Sequence, residues 1–325
     1  MNHLDRPDVP YGFPDRDAFH AWAGPNATLL ADAGLDADDF QGDGPFVVRC
    51  FHGTTHAFDR FDASVRGHIE GQFGAVHYFT TSPDDAWTNY ASKDGADLRN
   101  RIACLAESIA DDLFPEEDDS EGCDVADKAQ ALAEARLVGE GSFLLDCVVR
   151  FERPFVLGTF KRWRIPGLQA WDDFEPADPT LDMEADEDAY WESVDQSRLA
   201  QVEMLRTAFA AAADALGLDH TPEVPDTLLD DRFDGTSADL ETHILEATMY
   251  TDHPETGALV SNAFFGQVVR ALGFDAIVLV NAHQRFKSME MEPGTAHVHL
   301  FDGQGSQVKL FDAKRFDPED STLSN

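Results

Sequence analysis

His52, Gly53 and Thr54 close an apolar run that begins at Phe46. Tyr78, Phe79 and Thr80 stand in the next apolar run, and Tyr90 follows about one helix later. Together these residue types can recognise a flat, cationic ring that carries an amide. Two tyrosines facing one slot can sandwich a pyridinium-type ring, an interaction worth roughly 0.5–2 kcal/mol. Glycine lets a ligand approach the backbone, whose N–H and C=O can then pair with a carboxamide. The imidazole of His52 and the hydroxyl of Thr54 can hold sugar hydroxyls. Each residue alone has a plainer use: a histidine at a strand end is ordinarily structural, and a tyrosine in a strand ordinarily packs. It is the combination, in this order, that favours the specific reading.

Positioning these groups takes two strands and a helix, and the sequence carries signals for all three. Residues 45–50 form an apolar run of strand length, and 75–80 form the next. Ser82-Pro83-Asp84-Asp85 reads as a helix start. Ser82 serves as N-cap, proline takes the first helical position, and the acids suit the helix dipole. That helix would carry Ala86, Trp87, Tyr90 and Ala91. Upstream, Ala18, Phe19, Ala21 and Trp22 suggest one short amphipathic helix, and 27–34 another. Downstream, helices are expected over 97–110, 126–137, 195–216, 237–249 and 262–272, with Gly217 and Gly273 closing the third and fifth. Strands are expected at 142–151, from Val156, and at 276–280, 297–301 and 307–311. The acidic stretches 114–124 and 177–188 are expected to be irregular, the second mobile. Strand-rich ends around a helix-rich middle argue for an α+β protein rather than alternating β-α-β units. Neither a Gly-x-Gly-x-x-Gly fingerprint nor a Walker A run occurs.

The stretch FHGTT…GQFGAVHYFTTSPDDAWTNYA resembles the first two signature regions of the diphtheria-toxin-like, His-Tyr-Glu class of ADP-ribosyltransferases. It looks most similar to the domains of phage-encoded polyvalent proteins. In that class the histidine stands in His-Gly-Thr or His-Gly-Ser and the tyrosine in Gly-x-x-Tyr-Phe; here one extra residue separates Gly74 from Tyr78. Three later stretches, VVRFERPFVL, ALGFDAI and HVHLFDGQGSQVKLFDAKRFDP, are similar to the middle and closing strands of the same domains. The resemblance implies a split antiparallel β-sandwich with helical insertions. The domain would span 45–318, preceded by an N-terminal arm or cap at 1–44, interrupted by an acidic helical insertion at about 105–260, and followed by a tail at 319–325. It implies NAD+ as substrate, no metal, release of nicotinamide, and transfer of a single ADP-ribose to a macromolecular acceptor, a protein by preference. Carried over, His52 would bind the nicotinamide ribose, Gly53 the carboxamide, and Tyr78 and Tyr90 the two faces of the ring. Thr54, Phe79 and Thr80 would complete that site. Arg66 and His68, between the two motif strands, could cover the phosphates or adenine, although an ordinary surface loop accounts for them more simply. The chain is expected to be a cytoplasmic monomer, or one delivered into a host cytoplasm by a phage or toxin system.

One departure bears on the chemistry. The class places a glutamate at the start of the closing strand, where this chain has His297. That glutamate grips the ribose hydroxyl and favours the oxocarbenium-like transition state. A neutral histidine accepts the same hydrogen bond without negative charge, a loss of about 2–4 kcal/mol of barrier lowering. Chain elongation is therefore disfavoured, and mono-transfer or an inactive NAD+-binding pseudoenzyme remains. Glu290 and Glu292 are the nearest upstream carboxylates. Strand alternation sets His297, His299 and Phe301 on one face, so His299 could line the cleft as well.

Composition narrows the setting. The net charge of −38 repels phosphate backbones, which disfavours general nucleic-acid binding. The plain reading is an acidic, solvated surface; the sharper one is an acidic decoy that mimics DNA or binds basic partners. The basic run Lys161-Arg162-Trp163-Arg164 reads as a solvated turn. The N-terminus has no secretory pattern, and no apolar run is long enough to span a membrane. Cys50, Cys104, Cys123 and Cys147 are too scattered for a disulfide framework or a zinc site and read as thiols, with Cys50 and Cys147 in the core.

Overall fold

A computed structural model describes residues 13–31, 34–56, 58, 61, 73–74, 76–92, 94–113, 122–139, 141–158, 163–254, 259–287, 289–301 and 307–316. Helix α1 (Arg16–Ala23) is capped by Asp15, whose carboxylate accepts from the Ala18 N–H at 2.7 Å. Strand β1 (Thr28–Leu29) and a 3-10 turn at Ala37–Phe40 lead into β2 (Phe46–Thr54) and β3 (His77–Thr80). Helix α2 (Pro83–Asp85) runs straight on into a π-helical turn, Ala86–Ala91. Helices α3 (Ala96–Leu113) and α4 (Gly122–Leu137) form a hairpin with its own apolar cluster around Leu98, Ile102 and Ala133. Then come β4 (Ser142–Phe151), β5 (Pro154–Leu157), α5 (Glu187–Leu216), α6 (Ser237–Thr248) and α7 (Ser261–Ala271). β6 (Ala276–Leu279), α8 (Ala282–Arg285), β7 (His297–Leu300) and β8 (Val308–Phe316) close the chain.

The strands form an open sheet in the order β5-β6-β7-β3-β2-β4-β8, with β1 alongside the start of β2. β1–β2 and β5–β6 are parallel and the other pairs antiparallel. The protein is thus α+β with a mostly antiparallel sheet. The described strands make one continuous sheet, where the resemblance implied two. Its weak joint lies between β2 and β3. β4 follows β2 along its whole length, whereas the register between β2 and β3 consists of Phe51↔Thr80.

The apolar character of β2 and β4 explains their central place. Phe46, Val48 and Cys50 meet Cys147, Val149 and Phe151 in the main core, which also takes Phe209 from α5 and Phe264 and Phe265 from α7. Within 105–260 lie β4 and β5, and α5 and α6 supply Leu205, Ala212, Leu240 and Ile244 to the same core. The described part of the N-terminal stretch packs on the domain. Phe19 and Ala23 pack on Val47 and Val148, and Leu35 and Phe40 enter the main core.

Three local expectations are corrected. Residues 27–31 are not helical; Gly24 and Gly34 take positive φ, and the segment satisfies its backbone on β2, with the Leu30 N–H donating to the Val47 carbonyl at 2.8 Å. The stretch 177–188 is not wholly irregular: it bonds to α5, and its last two residues belong to that helix. The Ala177 and Asp178 N–H groups bond to the Ser193 carbonyl and hydroxyl, and Asp186 caps α5, which begins at Glu187 rather than Asp195. Residues 122–124 belong to α4, while 114–121 lie outside the described residues. Arg66, His68, Lys161, Arg162 and the tail at 319–325 also lie outside them. Gly217 closes α5 in the left-handed region, φ 64°, as its sequence position implied. Cys50 and Cys147 are buried opposite one another as thiols. Trp163 is buried against Phe155 and Phe274, so this part of the basic run is a core anchor. Among the described residues no helix is long and apolar enough to cross a membrane.

Candidate functional site

Register assembles the site. Antiparallel partners share a face, and the pairs Phe51↔Thr80, Tyr78↔His299 and Thr80↔His297 set β2, β3 and β7 side by side. Alternation then puts Gly53 on the face of Tyr78, Thr80, His297 and His299. A small cleft with about 20 Å³ of free space lies there. His52, Gly53 and Phe51 line it from β2, and Tyr78, Phe79 and Thr80 from β3. Tyr90 lines it from the π-turn, and His297 and His299 from β7. Three distant stretches of sequence thus meet in one place. Thr54 stands outside the lining, and its hydroxyl accepts from the His56 N–H at 3.2 Å.

His52 belongs by alternation to the opposite face, and it reaches the cleft where β2 and β3 part. Its Nδ1 donates to the Tyr78 carbonyl at 2.7 Å, bridging the two strands. Phe61, Phe58 and Phe79 surround the ring, with centroids 5.2–5.8 Å away. Burial lowers the pKa of His52 to about 4; the carbonyl bond opposes that shift and the charge of Arg101 adds to it. The imidazole is therefore neutral at pH 7, with Nε2 as its acceptor.

Gly53 has a role other than the one expected. A Cβ there would lie 1.9 Å from the Ala86 carbonyl oxygen and 2.9 Å from the Ala91 nitrogen. The close approach that needs glycine is made by the π-turn, which lies against β2 and presents Tyr90 to the cleft. Turns of this kind are frequent at functional sites. The turn is anchored at its start by the Ser82 hydroxyl, which accepts from the Asp85 N–H, so Ser82 is the N-cap.

Tyr78 is held by its hydroxyl, which donates to the Gly74 carbonyl and accepts from the Phe73 N–H, both at 3.2 Å. Its ring edge meets His299 at 4.9 Å. Burial raises the pKa of Tyr78, and that of Tyr90 more strongly, so both phenols are neutral. His299 is fully buried between Phe73 and Tyr78, and neither ring nitrogen has a hydrogen-bond partner. Burial, with His297 and Arg285 nearby, pushes its pKa well below the ordinary value.

His297 occupies the position where the resemblance calls for a carboxylate, and it has one beside it. Its Nε2 lies 2.9 Å from Asp85 Oδ2, with side chains 2 % and 0 % exposed. The other Asp85 oxygen accepts from Asn89 Nδ2 at 2.7 Å, and Asn89 also donates to the Glu290 carbonyl. Phe286 stacks on the imidazole at 5.4 Å. Glu290 and Glu292 are exposed and outside the lining, so neither fills the third position. The sequence reading missed Asp85, Asn89 and Phe286. Asp85 looked like a first-turn acid favoured by the helix dipole, as its exposed neighbour Asp84 is. The spacing Asp85 to Asn89, i to i+4 and next to Tyr90, was the available signal. Asp97, half-buried nearby and paired with Arg101 at 3.9 Å, has its pKa raised by burial.

Among the described residues no group of three or more His, Cys, Asp or Glu side chains could hold a metal ion. No family model, curated protein or solved structure matches this chain.

Proposed function

We propose that this protein binds NAD+ through its nicotinamide end, releases nicotinamide, and transfers a single ADP-ribose to a macromolecular acceptor, a protein by preference. The observation that carries this reading is the convergence of His52, Gly53, Tyr78, Tyr90 and His297 on one cleft, although they come from separate parts of the chain. Neutral aromatic walls suit a pyridinium cation, which is attracted to ring faces. Stacking would hold the leaving ring while contacts to the ribose favour positive charge at C1′, so that catalysis is positioning and electrostatics. The remainder of the dinucleotide would extend outside the lined space.

Incubation of the protein with labelled NAD+ and a cell lysate tests this reading. Wild type should label acceptor proteins and liberate nicotinamide, and His52→Ala and Tyr78→Ala should not. Absence of both products from wild type would remove the catalytic reading.

A second reading is favoured by His297 itself, which stands where the resemblance calls for glutamate: an NAD+-binding pseudoenzyme. Its signature is saturable NAD+ binding in calorimetry without nicotinamide release.

A further inference from the structure

We infer that the negative charge the site needs is supplied by Asp85, acting through His297, so that the buried pair replaces the single glutamate. The inference rests on the proposed NAD+ reading and deepens it. Asp85 accepts from His297 Nε2, which fixes the proton on that nitrogen and leaves Nδ1 with its lone pair on a ring that lines the cleft. Both carboxylate oxygens are engaged, one by His297 and one by Asn89, and the side chain is 0 % exposed. Such a carboxylate is not a solvated dipole partner. It is clamped by the same turn that carries Tyr90, and the Phe286 stack fixes the plane of the imidazole.

The chemistry balances without a further reagent. A ribose hydroxyl donates to His297 Nδ1, and Nε2–H donates to Asp85. As the C1′–N bond breaks, its electron pair goes to the ring nitrogen and neutral nicotinamide leaves. The cationic C1′ then faces a hydroxyl–imidazole–carboxylate chain bearing one negative charge. The acceptor oxygen forms the C1′–O bond and gives its proton to water. In this scheme His297 touches the substrate, and Asp85 is a positioning residue.

Asp85→Asn removes the charge and lets the amide donate to Nε2, which moves the imidazole proton to Nδ1. In a serine-protease triad the corresponding change flips the tautomer and removes most activity. The test measures nicotinamide release by the full chain as wild type, Asp85→Asn, Asp84→Asn and the double variant Asp85→Asn/His297→Glu. Asp85→Asn should lose about 100- to 1,000-fold in kcat with little change in KM. Asp84→Asn, at an exposed position, should match wild type. The double variant should recover at least tenfold over Asp85→Asn, because it returns one carboxylate to the site without placing two in contact. Nitrogen-15 spectra of wild type supply a readout independent of turnover and of whether the variants fold: His297 should carry its proton on Nε2. Wild-type turnover retained by Asp85→Asn, no recovery in the double variant, or a proton on Nδ1 in wild type would each overturn the inference while leaving NAD+ cleavage standing. A wild type that releases no nicotinamide would instead remove the reading on which it rests.

Discussion

His52 Nδ1 lies 2.7 Å from the carbonyl oxygen of Tyr78, and this bond crosses the point where β2 and β3 part. It ties His52 and Tyr78 together through the backbone of one and the side chain of the other. It also fixes the tautomer of His52, since a carbonyl only accepts.

The first prediction concerns pH. The pKa of His52 is about 4 in the folded state, against an ordinary 6.5. Between pH 6.5 and 4 the unfolded chain binds more protons, so stability falls as pH drops through that window and levels off below it. His52 alone accounts for on the order of 3 kcal/mol of that loss. Burial of His299 acts in the same direction. His52→Asn keeps a donor for the Tyr78 carbonyl and cannot titrate. Urea midpoints at pH 7 and pH 5 should differ less for this variant than for wild type; equal differences would contradict the assignment.

Gly53 gives a second prediction. Because its missing Cβ makes way for the Ala86 carbonyl at 1.9 Å, Gly53→Ala must push the π-turn away. Overpacking of this kind costs about 1–3 kcal/mol, and here it also displaces Tyr90 and Asp85. Urea unfolding should show the loss, and NAD+ affinity should fall with it. The clash is with backbone, so adding Ala86→Gly should not restore either. Restoration would show that side-chain crowding was responsible.

Much of this arrangement was legible in the sequence. Strands β2, β3, β4, β6, β7 and β8 follow their apolar runs, and the Ser82 cap followed directly from Ser-Pro-Asp-Asp. Alternation correctly set His297 and His299 on one face. What was not legible depended on tertiary pairing. Beyond the i to i+4 spacing of Asp85 and Asn89, nothing local distinguishes buried Asp85 from exposed Asp84, because their fates are decided by His297, 212 residues away. The two-residue strand β1 likewise exists only because β2 offers it an edge. The continuity of the sheet depends on a β3–β7 pairing that no short pattern encodes.

The tyrosines should separate stability from binding. Tyr78→Phe leaves the Phe73 N–H without its hydroxyl acceptor, a cost of about 1–3 kcal/mol, but it keeps the ring face. Tyr90→Ala removes a ring from the cleft and should weaken NAD+ binding by about 0.5–2 kcal/mol. Calorimetry should therefore show the larger affinity loss for Tyr90→Ala, while Tyr78→Phe loses stability in thermal unfolding with little change in affinity. The reverse order would contradict the roles given to these side chains.

His299 poses a trade-off. Its two ring nitrogens are buried without partners in the unliganded protein, and such groups are costly. His299→Leu should raise stability by about 1–3 kcal/mol while weakening binding of the ring ligand. Stabilisation with unchanged affinity would show that His299 does not face the ligand.

The central claim is that the cleft between β2, β3 and the π-turn cleaves NAD+ at the nicotinamide bond. Its most direct test is the rate of nicotinamide release from NAD+ by the full chain, set beside that of Tyr90→Ala. Wild type should show saturable, enzyme-dependent release, and the variant a clear loss. Release no faster than in buffer, or equal release by both proteins, would contradict it.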